Sequence, residues 1–312
     1  MKKRMVLALG GNALIKKGQR GTIYEQFANT REWAVSLIPI IQDGWEVVIT
    51  HGNGPQVGSI LLQNEAGLEF TPPMPLGICV AESQGYLGYM IQQCVANILQ
   101  KHEINKDIVA LITQVVVDKQ DPSMNKPTKP IGPVYSQKRA KELEEDGYHM
   151  VKQQQGWRIV VPSPDPQRIV EGDIISILLD QGILVIAAGG GGMPVVEKKD
   201  WGYDGVEAVV DKDLSAERIA EAVDASTLLI LTNVEGIYLD YNTKKQRLLS
   251  EISMEELQSY YNQGLFPEGS MGPKVHAALR FLENGGEKAI IADINKAWVA
   301  LQRKTGTHII KE

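Results

Sequence analysis

The sequence lacks the features that define several common protein classes. Its 312 residues include only two cysteines, Cys79 and Cys94, too few for a disulfide framework, and no C-x-x-C or Cys/His cluster with zinc spacing. No apolar stretch is long enough to span a bilayer, and a formal net charge of -6 gives no electrostatic reason to bind nucleic acid or an anionic membrane. We therefore expect a globular protein of the reducing cytoplasm, with neither nucleic acid nor membrane as a partner.

Several catalytic signatures are missing as well. No Gly-Lys dipeptide occurs, which excludes a Walker phosphate loop, and neither H-E-x-x-H nor G-x-S-x-G is present. The five histidines are scattered and show no metal-ligand spacing, so we predict no resident metal site. Zinc hydrolysis and serine-triad chemistry are thereby disfavoured.

What the sequence does contain is an alternation of short apolar runs with helical patterns. This alternation predicts an α/β fold with an open, mostly parallel sheet that is covered by helices on both faces. The predicted strands are 5–9, 47–50, 109–117, 159–161, 183–188, 228–232 and 289–292. The main predicted helices are 24–41, 86–101, 169–179, 215–223, 253–263 and 273–283.

Residues 118–157 interrupt this rhythm and are predicted to form a small protruding subdomain, which we call the arm. The arm contains the string Lys126-Pro127-Thr128-Lys129-Pro130-Ile131-Gly132-Pro133 and then a charged helix around residues 138–146. Because proline fixes φ, this composition indicates a stiff projection more than a flexible linker.

Two loops that combine glycine with asparagine follow the first two predicted strands. The first loop is Gly10–Asn12, and the second loop is Gly52–Gly54 within the string His51-Gly52-Asn53-Gly54-Pro55-Gln56. Ligands of parallel α/β sheets bind at the carboxyl ends of the strands, so two such loops can form one anion pocket. The alternative for either loop alone is a tight turn.

A run of four glycines, Gly189–Gly192, follows the predicted strand 183–188 and is called the glycine run below. Four residues without side chains leave backbone N–H groups open to phosphate oxygens, and we favour that function over a tight packing turn. The run is not a dinucleotide fingerprint, because the third required glycine would fall on Pro194.

Two further segments place lysine where an anion could bind. Asp211, Lys212 and Asp213 precede a helix predicted to begin near Ser215, so Lys212 can neutralise phosphate while Asp213 orients a lysine or the water shell of a metal. Lys274 falls in the first turn of another predicted helix, where a cation opposes the helix dipole. Such a locally unfavourable choice favours a functional role.

In chain order, these motifs resemble those of the carbamate kinase family, within the amino acid kinase superfamily. The resemblance covers nearly the whole chain and includes both loops, the glycine run, residues 113–118, 156–158 and 211–213, and the string around Lys274. Its most specific part is the Lys-Pro string of the arm, which related kinases for acetylglutamate, aspartate, glutamyl or uridylate substrates lack. The chain departs from the pattern at Gly272, where relatives often carry a larger apolar residue.

The resemblance implies reversible phosphoryl transfer between ATP and carbamate, giving ADP and carbamoyl phosphate, with Mg²⁺ accompanying the nucleotide in a homodimer. Such enzymes often form ATP in arginine fermentation. We expect an acceptor lobe in residues 1–182 and a nucleotide lobe in residues 183–312. The implied acceptor and phosphoryl contacts are Gly10, Gly11, Asn12, Gly52, Asn53 and Gly54. The nucleotide contacts are Gly190, Gly191, Lys212, Met271, Pro273 and Lys274, and the catalytic residues are Lys129, Lys212, Asp213 and Lys274.

The chemistry of the residues agrees with this reaction. Carbamate is already an anion, so its oxygen can attack the γ-phosphorus without a general base. The obstacle is repulsion between two anions, which lysines, backbone N–H groups and magnesium can offset in a closed site.

Three alternatives remain open at this point. Another small-acid or nucleotide kinase of the superfamily fits the backbone motifs but not the arm. A nucleotide or metabolite sensor that has lost turnover fits less well, because all three candidate lysines are present. A nicotinamide oxidoreductase is disfavoured by the missing fingerprint.

Overall fold

The structure is a computed structural model that describes residues 3–16, 18–153, 156–267 and 269–311. The strands are β1 (Arg4–Leu9), β2 (Glu46–His51), β3 (Ile108–Ala110), β4 (Gln114–Val117), β5 (Lys129–Tyr135), β6 (Met150–Gln153), β7 (Gly156–Val161), β8 (Pro166–Ile169), β9 (Leu184–Ile186), β10 (Met193–Lys198), β11 (Gly202–Gly205), β12 (Thr227–Thr232), β13 (Ile237–Leu239), β14 (Arg247–Leu249), β15 (Glu251–Ser253), β16 (Lys288–Asp293) and β17 (Thr307–Ile310). The α-helices are α1 (Ile23–Ala34), α2 (Ile38–Gln42), α3 (Gly54–Ala66), α4 (Leu76–Lys101), α5 (Gln137–Glu145), α6 (Gly172–Asp180), α7 (Lys212–Ala222), α8 (Met254–Asn262), α9 (Met271–Glu283) and α10 (Ala297–Leu301).

The main sheet has eight strands in the order β15-β17-β16-β12-β1-β2-β9-β3. Its pairs are parallel except for β16 with β17. Alternate side chains of the central strand β1 enter two separate cores, with Met5 and Leu7 on one face and Val6 and Ala8 on the other. Helices cover both faces for this reason, and the predicted fold class is confirmed.

A second, four-stranded sheet in the order β11-β10-β4-β8 begins where two strands of the main sheet end. Two short segments without strand structure, one between β3 and β4 and one between β9 and β10, lie side by side and link the two sheets. Thr113 fixes them, because its hydroxyl accepts the Ala188 N–H at 3.0 Å while its own N–H donates to Gln84 Oε1 at 3.0 Å. The prediction of one continuous strand over 109–117 was therefore wrong.

The arm forms its own three-stranded antiparallel sheet in the order β5-β7-β6, with α5 inserted between β5 and β6. A small core of its own, which includes Ile131, Ile159 and Cys79, joins the arm to α3 and α4. Residues 159–161, predicted for the main sheet, belong instead to β7, so the arm sheet extends past the predicted end at 157. A short apolar run indicates a buried strand but not the sheet to which it belongs.

Several predicted helices differ from the observed ones. The helix predicted over 86–101 is α4, which begins ten residues earlier, at Leu76. The pattern over 24–41 is divided into α1 and α2 by a 3₁₀ turn at Val35–Leu37. Helix α7 begins at Lys212, three residues before the predicted start, because the Asp211 side chain caps it by accepting the Asp213 N–H at 2.9 Å.

The proposed boundary after residue 182 falls between α6 and β9. Because β9 pairs with β2 and β3, the main sheet continues across that boundary, and the division into two lobes stays a prediction. In the described part of the chain, no helix has both the length and the apolar character that crossing a membrane requires.

Candidate active site

The loops singled out in the sequence follow β1, β2 and β9, which are adjacent parallel strands of the main sheet. The first and second loops touch. A Cβ on Gly52 would lie 3.1 Å from the backbone nitrogen of Gly11 and 3.5 Å from Cδ of Lys212, so a side chain here would require the first loop to shift by a few tenths of an ångström. The structure therefore brings both predicted acceptor loops and Lys212 together at one edge of the sheet.

Each of the two loops is tied to a neighbouring element. Gly10 N–H donates to the carbonyl of Leu231 at 3.0 Å, which links the first loop to β12. Asn53 is buried in the second loop, and its Nδ2 donates to Ser83 Oγ on α4 at 2.7 Å. The side chain of Asn12 lies outside the described part of the structure, so its predicted role is not located.

The glycine run is buried, and it packs tightly against the second loop. A Cβ on Gly190 would overlap the Asn53 side chain, and a Cβ on Gly191 would overlap the carbonyl of Val210. Gly190 has φ +67° and Gly191 φ +97°, which favour glycine independently. The Gly191 N–H already donates to Ala188 O at 3.0 Å. Close packing, the alternative considered above, thus explains these glycines, and contact of Gly190 and Gly191 with nucleotide stays a prediction.

His51 lies beneath the loops and is fully buried at the end of β2. Burial, with help from the nearby charge of Lys212, lowers the pKa of His51 to about 4. The imidazole is therefore neutral at physiological pH. It packs against Gly189, which has no room for a side chain.

Asp213 joins the two lysines that the sequence assigned to the nucleotide side. Its Oδ1 forms an ion pair with Lys212, and its Oδ2 lies 3.2 Å from Nζ of Lys274, which also donates to the Ser270 carbonyl at 3.0 Å. Burial lowers the pKa of Lys212 despite the Asp213 carboxylate. Burial also acts against the charge of Lys274, but Asp213 and Asp211 outweigh it and raise its pKa. We call these three residues the core cluster.

Lys129 reaches from the arm to the start of α7. Its Nζ lies 3.0 Å from Asp211 Oδ2 and donates to the Val210 carbonyl at 3.2 Å. Burial alone would raise the pKa of Asp211, but the charges of Lys129 and Lys212 hold it well below its usual range. Asp211 was not among the predicted site residues. Its position directly before Lys212, as the cap of α7, was the signal that could have identified it.

A cleft of about 1250 Å³ opens between the arm, the start of α3 and the connection from α8 to α9. Three residues predicted for the site line it, namely Gly54, Lys129 and Pro273. Asp211 also lines it, and its carboxylate connects the cleft to the core cluster through the Asp213 N–H. Among the lining residues for which the sequence gave no role are Arg158 and His276, the latter stacked on Tyr261 at 5.5 Å between ring centroids.

The first turn of α9 explains the departure from the family pattern at Gly272. Met271 begins the helix and packs against the core, while Gly272 N–H donates to the Pro267 carbonyl at 2.9 Å. A Cβ on Gly272 would lie 3.0 Å from that same oxygen, so a larger residue requires the preceding turn to move.

The arrangement suits an anion that carries several charges. Helices α3, α7 and α9 all begin at or beside the cleft, and the N-terminus of a helix attracts negative charge. Lys129, Lys212 and Lys274 add three cations, of which Asp211 and Asp213 balance two. The site can bind, orient and neutralise anions.

The sequence pattern of the amino acid kinase family matches residues 3–293. The chain is 52% identical over 313 residues to the carbamate kinase of Pyrococcus horikoshii, with 99% of both chains covered. It is 44% identical over 314 residues to the carbamate kinase of Clostridium perfringens, covering 99% of this chain and 100% of the other. The solved structure of carbamate kinase from Giardia lamblia bound to AMP-PNP has a TM-score of 0.93 at 40% identity and covers 100% of this chain and 99% of that one. These similarities include the arm.

Proposed function

The chain belongs to the amino acid kinase family, and on that premise we propose that it transfers a phosphoryl group reversibly between ATP and the carboxyl group of carbamate, giving ADP and carbamoyl phosphate. One contact between the arm and the body carries this proposal. Nζ of Lys129 lies 3.0 Å from the carboxylate of Asp211, the residue that precedes Lys212 of the core cluster. The arm is the part of the sequence that distinguishes this substrate from those of the related small-acid kinases.

The reaction requires positioning more than proton transfer. One carbamate oxygen forms a bond to the γ-phosphorus of ATP while the bond from that phosphorus to the β-phosphate oxygen breaks, and no proton need leave the nucleophile. Lys212 and Lys274 are held by Asp213, so their charges are already in place when phosphate charge moves toward the leaving oxygen. Lys129 lies on β5 of the arm, and its charge neutralises the acceptor.

Nucleotide occupies the side of the cleft formed by the start of α9 in this proposal. That the site takes a nucleotide is supported by the AMP-PNP bound to the Giardia enzyme, and the placement at α9 is supported by Gly272 and Pro273, which line the cleft at the N-terminus of that helix. In the described part of the chain, no group of three His, Cys, Asp or Glu side chains could hold a metal ion. In this proposal Mg²⁺ would accompany the nucleotide, held mainly by phosphate oxygens and water, and would neutralise phosphate charge.

The biological setting is part of the same proposal. We expect a homodimer in the cytoplasm that runs toward ATP formation during arginine breakdown. The two cysteines of the sequence are free and buried, which accords with a reducing compartment.

The test is an ATP-formation assay with ADP, Mg²⁺ and carbamoyl phosphate, run beside acetyl phosphate and acetylglutamyl phosphate. We expect ATP to form at least tenfold faster from carbamoyl phosphate than from either alternative. Faster turnover of acetylglutamyl phosphate would assign the chain to another small-acid kinase. Binding of ADP without turnover of any donor would make it a sensor.

A further inference from the structure

Arg158 is a cation of the arm to which no role has been assigned so far. It lies on β7, opposite Val151 of β6, and lines the same cleft as Lys129 and Asp211. It is thus the second basic residue that the arm places at the cleft.

The charge of Arg158 is poorly compensated. Its Nη2 donates to the carbonyl of Gly132 at 2.8 Å, while its Nε is buried without a hydrogen-bond partner. Within the described ranges it forms no ion pair, whereas Lys129, Lys212 and Lys274 each lie against a carboxylate. Burial lowers the pKa of Arg158, as expected when no nearby carboxylate offsets the loss of water.

Arg4 shows how this chain compensates the charge of a buried arginine. Its guanidinium is also removed from water, but it donates to Glu46 at 2.7 Å and to Asp180 at 2.5 Å. Partial burial of a charge without such partners is costly. The cost at Arg158 is explained if an anion from outside the chain supplies the missing partner.

The chemistry of that anion follows from the guanidinium and from the charge of the site. A guanidinium presents a planar fork of donors that matches phosphate oxygens, whereas an ammonium acts as a point charge. Asp211 and Asp213 partly neutralise the three lysines before any ligand arrives, whereas no ion pair with Arg158 is found among the described residues, so an anion at Arg158 meets a cation whose charge is not yet balanced.

We propose that Arg158 is a second anion-binding residue of the arm and that its guanidinium binds the phosphoryl oxygens of carbamoyl phosphate in the cleft. The identity of this reactant rests on the proposed function, whereas the existence of an anion site at Arg158 does not. In this role Arg158 contacts the phosphoryl group that is transferred, and Lys129 serves the same reactant from β5.

The experiment compares Arg158→Gln and Arg158→Lys with the wild-type chain. Arg168→Gln is the matched control, because Arg168 also lies on a strand but pairs with Glu197 at the surface. Inorganic sulfate is the probe, and its dissociation constant is measured by thermal-shift titration without nucleotide. The KM for carbamoyl phosphate, the KM for ADP and the Tm without ligand are measured in parallel.

We expect Arg158→Gln to weaken sulfate and to raise the KM for carbamoyl phosphate by roughly 10- to 100-fold, the loss typical of a charge-assisted hydrogen bond. The KM for ADP stays within about threefold, and Arg158→Lys is intermediate because it keeps the charge but not the fork. Unchanged sulfate affinity and unchanged KM values overturn the proposal. A fall in kcat or Tm with unchanged sulfate affinity also overturns it, since Arg158 then only supports β5 through its hydrogen bond to the Gly132 carbonyl.

The two proposals fail separately. If the wild-type chain forms no ATP from carbamoyl phosphate, the proposed function is wrong. The sulfate titration of the Arg158 variants still supports or overturns the anion site, because it requires neither turnover nor nucleotide.

Discussion

The arm places cations in the cleft, and the core cluster holds cations beside it, in different ways. Lys212 and Lys274 stand in the first turns of two core helices, with side chains 11% and 15% exposed, and a single buried carboxylate holds both. Lys129 and Arg158 stand on a small antiparallel sheet that shares a core with the body beneath the arm. Two lysines are thus fixed within the body, while two further cations come from a separate element, which we propose serves the small acceptor.

The difference matches the sizes of the two reactants. A nucleotide offers many atoms to bind, so a rigid site can select it. Carbamoyl phosphate offers few, and an enclosing element must supply contacts and exclude water. Substitutions in the core cluster and in the arm should therefore affect different reactants.

The largest effect is expected in the core cluster, from Lys274→Ala. Removal of one preorganised cation from the transition state should lower kcat by about 10²- to 10³-fold. In this variant, Asp213 would form an ion pair with Lys212 but with no second lysine of the core cluster. Steady-state ATP formation measures this effect, with Lys288→Ala on the exposed start of β16 as the control. Near-normal turnover would remove Lys274 from the reaction.

In the arm, Lys129→Ala should lower kcat/KM for carbamoyl phosphate by about 10²-fold, because a cation near the transferred group is lost. ADP affinity, measured by calorimetry without the acceptor, should stay within about threefold. If ADP affinity collapses while saturation by carbamoyl phosphate is unaffected, the arm serves the nucleotide and the assignment of the two sides is reversed.

A smaller effect is expected from Gly58→Ala, which alters the contact between α3 and the arm. A Cβ on Gly58 would lie 2.5 Å from Cα of Gly132, so the arm must move away from α3. We expect kcat/KM for carbamoyl phosphate to fall about tenfold while ADP affinity is kept, since small displacements are costly in catalysis. Gly77→Ala is the control, because nothing lies within 4 Å of its added methyl group. Equal effects of the two changes would show that the contact between α3 and the arm does not affect catalysis.

The smallest effect concerns Cys79, which lies in the core beneath the arm. Burial, with the charges of Glu82 and Glu207, raises the pKa of this thiol to about 11, so little thiolate exists at neutral pH. Iodoacetamide should therefore not label the native chain within an hour at pH 7, as mass spectrometry can measure. Faster labelling of Gly58→Ala would report detachment of the arm, whereas rapid labelling of the wild-type chain would contradict the closed core seen here.

The sequence predicted the parts of the site that depend on local pattern. Apolar runs followed by Gly and Asn identified both loops, and lysine in a first helical turn identified Lys274. Features that depend on tertiary pairing were not visible. The run over 109–117 did not reveal that Thr113 divides it between two sheets, and 159–161 did not reveal that it pairs within the arm.

Two residues of the cleft were missed for related reasons. Asp211 was missed because the start of α7 was predicted three residues too late, and a cap is defined by the helix that it precedes. Arg158 became notable only through its surroundings, since a lack of carboxylate partners cannot be read from a list of residues.

The position of β1 at the centre of the main sheet has a consequence for biosynthesis. Leu9 pairs with His51 on one side and with Leu231 on the other, so one edge of β1 stays open until most of the chain has been made. At roughly 5–20 residues per second, that interval is on the order of ten seconds or more. Because an unpaired strand edge invites association with other chains, shielding of this edge until β12 leaves the ribosome would limit such association.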